Sequence, residues 1–110
     1  MKLVNLTPHP IHIYIRDQRI ASIEPSGTVA RAEVERVGFG HISFGGRGVP
    51  IYRSVFWDVQ NLPDPEEGTR CIVSRIVAEA CRDRTDLLIV DDTVRDEHGQ
   101  IIGCRAFGVV

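Results

Sequence analysis

Lysine is nearly missing from this chain of 110 residues. Lys2 is the only lysine among 13 basic residues, and the other 12 are arginines. The planar guanidinium of arginine suits forked contacts with phosphate or carboxylate groups. Codon bias in a GC-rich genome would enrich arginine in the same way, and we attribute the overall count to that bias. Only the placement of particular arginines therefore carries functional weight.

Cysteine is scarce as well. The three cysteines, Cys71, Cys81 and Cys104, are an odd number that cannot pair fully within one chain. They form no dense disulfide framework of the kind that stabilises small secreted domains. The sequence therefore predicts a cytoplasmic protein in a reducing compartment.

Long hydrophobic runs are also missing. The longest ones, such as the run from Leu87 to Val90, fall far short of the roughly 20 apolar residues that a membrane-spanning helix needs. Met1 and Lys2 lead directly into an alternating pattern that is typical of a strand. We therefore expect no signal peptide, no membrane anchor and no membrane partner.

The chain carries little net charge of either sign. Its formal net charge is −2, which gives no bulk attraction to a nucleic acid polymer or to an anionic membrane. Hydrophobic residues make up 43% and charged residues 25%, as in ordinary globular proteins. The length suits one hydrophobic core, so we expect a single domain over residues 1–110.

What is present is a series of short alternating segments with turn signals between them. Ile11–Ile15 is the clearest strand, because its three isoleucines fall on one face. Val29–Val37 fits either strand or helix, and the close spacing of the turns favours strand. The other predicted strands are Lys2–Thr7, Ile20–Ile23, Val49–Val59, Cys71–Val73, Leu87–Val90 and a closing hairpin of Asp92–Arg95 with Gln100–Phe107.

One helix is predicted. Ser74 is a suitable N-cap for Arg75–Cys81, whose apolar positions fall on one face. Together with the strands this predicts an α+β fold, mainly an antiparallel β meander or sheet, with one short C-terminal helix packed on it.

The segment Gly38–Gly48 contains five glycines and predicts a mobile loop. Glycines allow backbone amides to approach an anion closely, which is compatible with phosphate binding. The segment lacks the Gly-Lys-Ser/Thr ending of a nucleotide-triphosphate loop, and its glycines do not match the dinucleotide fingerprint. A simple flexible hairpin tip is the favoured interpretation.

Catalytic and metal-binding patterns are weak. His9 and His12 are separated by a proline and run into a strand, so they share no helical face. Cys81 or Ser74 with His98 as base would supply nucleophile chemistry, but no family signature surrounds them. We therefore expect no catalytic residue, no metal site and no cofactor.

The arginines of the C-terminal third carry the functional hypothesis. Arg95 and Arg105 lie on opposite strands of the closing hairpin and are neighbours if the register permits. Two facing guanidiniums need either an anion between them or acidic side chains beside them. Both alternatives stay open for this pair, whereas surface ion pairs with residues such as Asp86 are favoured for Arg75, Arg82 and Arg84.

A likeness to known proteins runs along nearly the whole chain. It rests on Asn5-Leu6-Thr7-Pro8-His9, Pro25-Ser26-Gly27-Thr28-Val29-Ala30-Arg31, Val49-Pro50, Leu62-Pro63 with Gly68-Thr69, Ile72-Val73-Ser74, Arg84 with Asp86-Leu87, and Val94-Arg95-Asp96 through Gly99-Gln100-Ile101-Ile102-Gly103-Cys104. In these motifs the chain resembles a family of small proteins common in phages and prophages. The overall pattern is also similar to the phage anti-defence proteins of the Thoeris type, which bind cyclic ADP-ribose-like signals and remove them from a bacterial immune pathway without catalysis.

The resemblance implies a β-rich domain and a homo-oligomer with pockets between or beside protomers. It also implies arginines that grip a pyrophosphate, for which Arg95 and Arg105 are the best candidates, and an aromatic ring that stacks on the base. Phe107 and Phe44 are the candidates for that ring, although Phe107 fits a core position equally well. The expected ligand-binding residues are Arg95, Arg105, Arg75, Asp86, Phe107 and Phe44.

The leading hypothesis is therefore a non-catalytic protein that sequesters a small cyclic nucleotide or ADP-ribose-derived immune signal. Sequestration needs only affinity, which arginines, backbone amides and a stacking ring supply in a pre-formed pocket. A phage structural or accessory protein that acts through protein contacts is the main alternative. A small hydrolase is the second alternative.

Overall fold

The computed structural model describes residues 1–110 and confirms the α+β class, with most of the chain in strands and one short helix. The Val29–Val37 segment is strand from Arg31 onward, as preferred from the sequence. The elements are β1 (Lys2–Asn5), β2 (Ile11–Ile15), β3 (Gln18–Ile23), β4 (Arg31–Phe44), β5 (Arg47–Gln60), β6 (Thr69–Ile72), α1 (Arg75–Ala80), β7 (Leu87–Arg95) and β8 (Ile101–Gly108).

Six strands form one sheet in the order β1-β6-β7-β8-β2-β3, while β4 pairs only with β5. The three hairpin pairs, β2 with β3, β4 with β5 and β7 with β8, are antiparallel as expected. The pairs β1 with β6, β6 with β7 and β2 with β8 are parallel. Parallel pairing joins segments without a tight turn between them, so local sequence signals give no indication of it.

The buried amide of Asn5 organises the turn after β1. Its side chain is only 1% exposed, and its Nδ2 donates to the carbonyl oxygens of His9 at 2.8 Å and Ile23 at 3.1 Å. Its Oδ1 accepts from the backbone amide and the hydroxyl of Thr7 at 2.9 and 2.7 Å. One side chain thereby ties the connection between β1 and β2 to the end of β3, which is a physical reason for an asparagine at this position.

Helix α1 begins as its sequence predicts. Ser74 is the N-cap, with extended backbone, and its Oγ accepts a hydrogen bond from the amide of Val77. Val77 and Ala78 are buried against the sheet, and Cys81 is the C-cap. The helix covers six residues, and no helix in the structure has the length and apolar character to cross a membrane.

The core is small, with 13 of 110 residues buried. Cys71 belongs to the larger cluster and its neighbour Ile72 to the smaller one, because successive side chains of a strand point to opposite faces of the sheet. The larger cluster lies under α1 and consists of Leu6, Ala30, Cys71, Val73, Val77, Ala78, Leu87 and Ile89. The smaller cluster consists of Ile11, Ile72 and Cys104.

Strands β4 and β5 form a long two-stranded hairpin, residues 31–60, which we call the arm. The predicted loop at Gly38–Gly48 is wrong, because strand pairing continues through this segment to the pair Phe44 with Arg47. Only Gly45 and Gly46 form the turn, with φ of 60° and 77°. Two successive positive φ values are typical of the tight turn whose twist matches the flanking strands, and glycine adopts them without strain.

Candidate functional site

Arg95 and Arg105 are not neighbours across the closing hairpin. Arg95 pairs with Ile101, so Arg105 lies four residues farther along β8, which corresponds to about 13 Å of strand. Arg95 instead donates from Nη1 to the carbonyl oxygen of Gly99 at 2.6 Å, within its own turn. The expected binding of one anion by both arginines required them to be neighbours across the hairpin. The register does not place them so.

Arg105 has partners of its own. Its Nε donates to the carbonyl oxygen of Arg16 at 3.2 Å, and its Nη1 lies 3.5 Å from a carboxylate oxygen of Asp92. A carboxylate oxygen of Asp17 lies 3.8 Å from Nη2. This is the surface ion-pair alternative for Arg105, and ligand binding by Arg95 and Arg105 stays a prediction.

The two aromatic candidates occupy different environments. Phe107 is half-buried and packs against the smaller core cluster. Phe44 is 78% exposed at the tip of the arm. The structure therefore places Phe107 in the core position that the sequence left open, and it does not bring the two rings to one site.

Arg75 lines a cavity of about 360 Å³ between the β1–β2 connection, the start of α1 and β8. Its side chain is 70% exposed, and its Nε donates to Glu79 at 3.1 Å. Thr7, His9 and Ser74 are the other polar side chains around this cavity, and most of its remaining wall is aliphatic. Among the expected ligand-binding residues, only Arg75 lies here.

Three other arginines surround a second cavity of about 400 Å³, which we call the arginine cavity. Arg70 comes from β6, whereas Arg82 and Arg84 come from the segment after α1. Neither Arg70 nor Arg82 has a carboxylate oxygen within salt-bridge distance, so their charges are available to an anion. The rest of the wall consists of Ala78, Cys81, Thr85, Leu87, Val109 and Val110.

Asp86, one of the expected site residues, holds the third arginine in place. The Nε and Nη2 of Arg84 donate to the two carboxylate oxygens of Asp86, each at 2.7 Å. Nη2 also donates to the carbonyl oxygen of Pro63 at 2.9 Å. The hydrogen bond from Arg84 holds the pKa of Asp86 below its ordinary value, against the effect of burial. The pair is thus ionised at neutral pH and fixes the Arg84 guanidinium at the cavity wall.

Cys81 lines the same cavity as a neutral thiol. Burial raises its pKa above the ordinary value, against the opposing effect of the Arg84 charge. A thiolate, not a thiol, is the nucleophile in cysteine chemistry. The other nominated nucleophile, Ser74, uses its hydroxyl to cap α1, and His98 lies 77% exposed beside Glu97 in the closing turn.

Sequence reasoning assigned Arg82 and Arg84 to surface ion pairs and did not single out Arg70. No local signal in the sequence marks this site, because alternation in β6 assigns Arg70 to the face opposite that of the buried Cys71. The parallel pairing of β6 with β7 brings the strand of Arg70 beside the segment of Arg84. Because the sequence does not indicate the pairing of β6 with β7, it does not indicate that the three arginines line one cavity.

The fold and the site define a strand-rich α+β domain with an arginine-lined cavity. Comparison of the chain with family models, curated proteins and solved structures gives no match.

Proposed function

We propose that this chain is a non-catalytic binding protein that sequesters a small phosphorylated ligand, a cyclic nucleotide or an ADP-ribose derivative, in the arginine cavity. The observation that carries the proposal is the convergence of Arg70, Arg82 and Arg84 on one cavity in which only Arg84 has a carboxylate partner. The resemblance to Thoeris-type anti-defence proteins adds that the ligand is an immune signal and that a phage encodes the chain.

The chemistry of the cavity suits a ligand with two adjacent negative charges. Guanidinium groups donate forked hydrogen bonds to phosphate oxygens, and two of the three are not engaged with a carboxylate. A volume of about 400 Å³ lies in the range of small-molecule sites. The aliphatic side chains of Ala78 and Leu87 offer an apolar surface for the rest of the ligand.

Binding without catalysis is supported by what lines the cavity. The lining includes no histidine, aspartate or glutamate that could act as general base, and the raised pKa of Cys81 keeps its sulfur protonated. Removal of a signal by sequestration requires only that the ligand stay bound and intact.

The test is a thermal shift measurement with cyclic AMP, ADP-ribose and inorganic pyrophosphate as probes. A ligand present at about 100 times its Kd adds about 2.7 kcal/mol to the free energy of unfolding, which raises the melting temperature by about 10 °C. Heat denaturation followed by chromatography then recovers the ligand. We expect a shift with at least one nucleotide probe and recovery of that probe unchanged.

Two double variants locate the site. The substitutions Arg70→Gln and Arg82→Gln together should abolish the shift, because they remove the two unpaired charges of the cavity. The matched control combines Arg95→Gln with Arg105→Gln and should keep the shift. Loss of the shift only in the control would move binding to the closing hairpin. A probe recovered in cleaved form would reject the non-catalytic function, and no shift with any probe would reject nucleotide binding.

A second candidate function is assembly through protein contacts, as in a phage structural or accessory protein. Exposed rings on the arm, such as Phe39 and Phe44, favour it. A protein of this kind gives no thermal shift with any of the three probes, so the same experiment separates the two functions.

A further inference from the structure

The arm extends away from the rest of the molecule. Beyond Ala32 on β4 every residue is exposed, and on β5 only Val55, Phe56 and Val59 are partly covered. The radius of gyration is 17.4 Å, whereas a compact chain of this length has about 13 Å. A two-stranded ribbon with no layer on either face is marginally stable in water.

One face of the arm is apolar. The ladder pairs Ile42 with Val49, and alternation along β5 places Ile51 on the same face as Val49. Arg53 lies over the ring of Phe39 at 5.1 Å, which puts Phe39 on this face as well. The apolar face of the arm consists of Val37, Phe39, Ile42, Phe44, Val49 and Ile51, each 38% to 78% exposed.

The opposite face of the arm is more polar. Arg36 lies over the ring of Tyr52 at 4.2 Å, and Ser43 and His41 share this face through the register. A ribbon with one apolar and one polar face has the pattern of a sheet that is covered on one side only. Within one chain nothing covers the apolar side.

The chain exposes more surface than a compact monomer of its mass. The chain exposes 7953 Å², whereas a folded monomer of 12.3 kDa exposes about 6,100 Å². The surplus of about 1,900 Å² exceeds the roughly 800 Å² per partner that a standard protein interface buries.

Two charges on the apolar face, those of Arg47 and Glu35, are complementary to those of a second copy that runs in the opposite direction, whereas Arg53 on the same face lies over the ring of Phe39. Arg47 precedes Ile51 by four residues, toward the tip. Glu35 pairs with Val55, four residues after Ile51, toward the base. A twofold axis near Ile51 therefore brings Arg47 of each arm to the level of Glu35 on the other arm.

We propose that two copies of this chain pack their arms face to face and antiparallel, through the apolar face, about a twofold axis near Ile51. Each arm supplies the layer that the other lacks, which produces a four-stranded sandwich with its sheets about 10 Å apart. This self-association rests on the arm alone and depends on neither candidate function.

The first test measures mass in solution by light scattering at high micromolar protein concentration. The wild-type chain should have twice the 12.3 kDa mass of one chain. The substitution Ile42→Asp places a charge in the interface and should raise the dimer Kd at least about tenfold. Ser43→Asp adds the same charge on the opposite face and should leave the Kd unchanged.

The second test uses a short thiol-reactive bismaleimide on variants that carry Cys81→Ala, since Cys71 and Cys104 are buried. Ile51→Cys should cross-link into covalent dimers, because the two thiols lie near the axis. Tyr52→Cys is the matched control, since it is one residue away and faces outward, and it should stay uncross-linked.

Circular dichroism spectra confirm that each variant is folded before its mass is measured. A wild-type mass of 12.3 kDa at high micromolar concentration would overturn the proposal. Equal cross-linking of the Ile51 and Tyr52 variants would overturn the face-to-face arrangement, and so would equal weakening by the two aspartate substitutions.

Discussion

Arg84 and Asp86 form a two-pronged ion pair across a single intervening residue, with both nitrogen–oxygen distances at 2.7 Å. The side chains are only 17% and 13% exposed. Because the same guanidinium also donates to the backbone of Pro63, the pair anchors the proline-bearing connection after the arm to the segment after α1. The same ion pair therefore holds the Pro63 connection in place and positions Arg84 at the wall of the arginine cavity.

This pair makes stability depend on acid pH. The pKa of Asp86 is lowered in the folded state by the hydrogen bond from Arg84. As the pH falls, Asp86 is therefore protonated in the unfolded state at a higher pH than in the folded state. The stabilisation is complete above the ordinary aspartate pKa of about 3.9 and is lost as the pH falls through the lowered pKa. Urea unfolding of wild type and Asp86→Asn between pH 6 and pH 2 measures it.

We expect Asp86→Asn to be less stable than wild type at pH 6, with the difference shrinking below the ordinary aspartate pKa. The exposed Asp17, whose oxygen lies 3.8 Å from Arg105, is the control carboxylate, and Asp17→Asn should leave the acid dependence nearly unchanged. A constant difference between wild type and Asp86→Asn at every pH would contradict the ionised pair.

The buried amide of Asn5 should be difficult to replace. In Asn5→Asp the nitrogen that donates to the carbonyl oxygens of His9 and Ile23 becomes a second acceptor. We expect a loss of about 3 kcal/mol or more in the free energy of unfolding, because two carbonyls lose their donor beside a buried charge. Thr7→Val removes one hydroxyl and should cost about 1 kcal/mol. Denaturant titration measures both free energies of unfolding. Equal losses for Asn5→Asp and Thr7→Val would contradict the organising role of the Asn5 amide.

Gly103 is required by the close approach of β8 to β2. A methyl group there would overlap the carbonyl oxygen of His12 and lie 2.7 Å from a ring carbon of Tyr14. Gly103→Ala should therefore lower the free energy of unfolding by about 1 to 3 kcal/mol. Gly38→Ala is the matched control, because nothing lies within 4 Å of the added methyl group and φ is not positive. Thermal unfolding measures both variants. Equal melting temperatures for Gly103→Ala and Gly38→Ala would contradict a close contact between β8 and β2 at Gly103.

The two aromatic candidates for base stacking should respond differently to truncation. Phe107→Ala removes a half-buried ring that packs against the smaller core cluster, and we expect a loss of about 3 kcal/mol in the free energy of unfolding. Phe44→Ala should change it by less than about 0.5 kcal/mol in dilute solution, since the ring is exposed. Chemical denaturation distinguishes them, and a neutral Phe107→Ala would remove this ring from the core.

Local signals in the sequence accounted for the helix and most strands. Ser74 as N-cap predicted the start of α1, and alternation predicted Ile11–Ile15 with the bounds that the structure has. The closing hairpin was also found, because turn residues between two alternating segments specify it. These features depend on interactions within a few residues, which a sequence displays directly.

The far half of the arm was missed because the glycines from Gly38 to Gly48 favoured a loop, whereas its two strands nearer the base were predicted. Glycine has weak strand propensity, but a ladder of cross-strand pairs compensates, and its positive φ at Gly40 accommodates a bulge. The candidate site was missed for another reason. Arg70 and Arg84 are 14 residues apart in the chain and meet only because β6 pairs with β7 in parallel.

The sequence by itself determined the strand-rich class, the capped helix and the hairpins, since each results from local backbone preferences and side-chain periodicity. Only the tertiary structure decided which arginines share a cavity and which do not, because register and strand order arise from contacts between distant segments. Arg95 and Arg105 are on neighbouring strands but are offset by four residues, whereas Arg70, Arg82 and Arg84 come from separate segments and line one cavity.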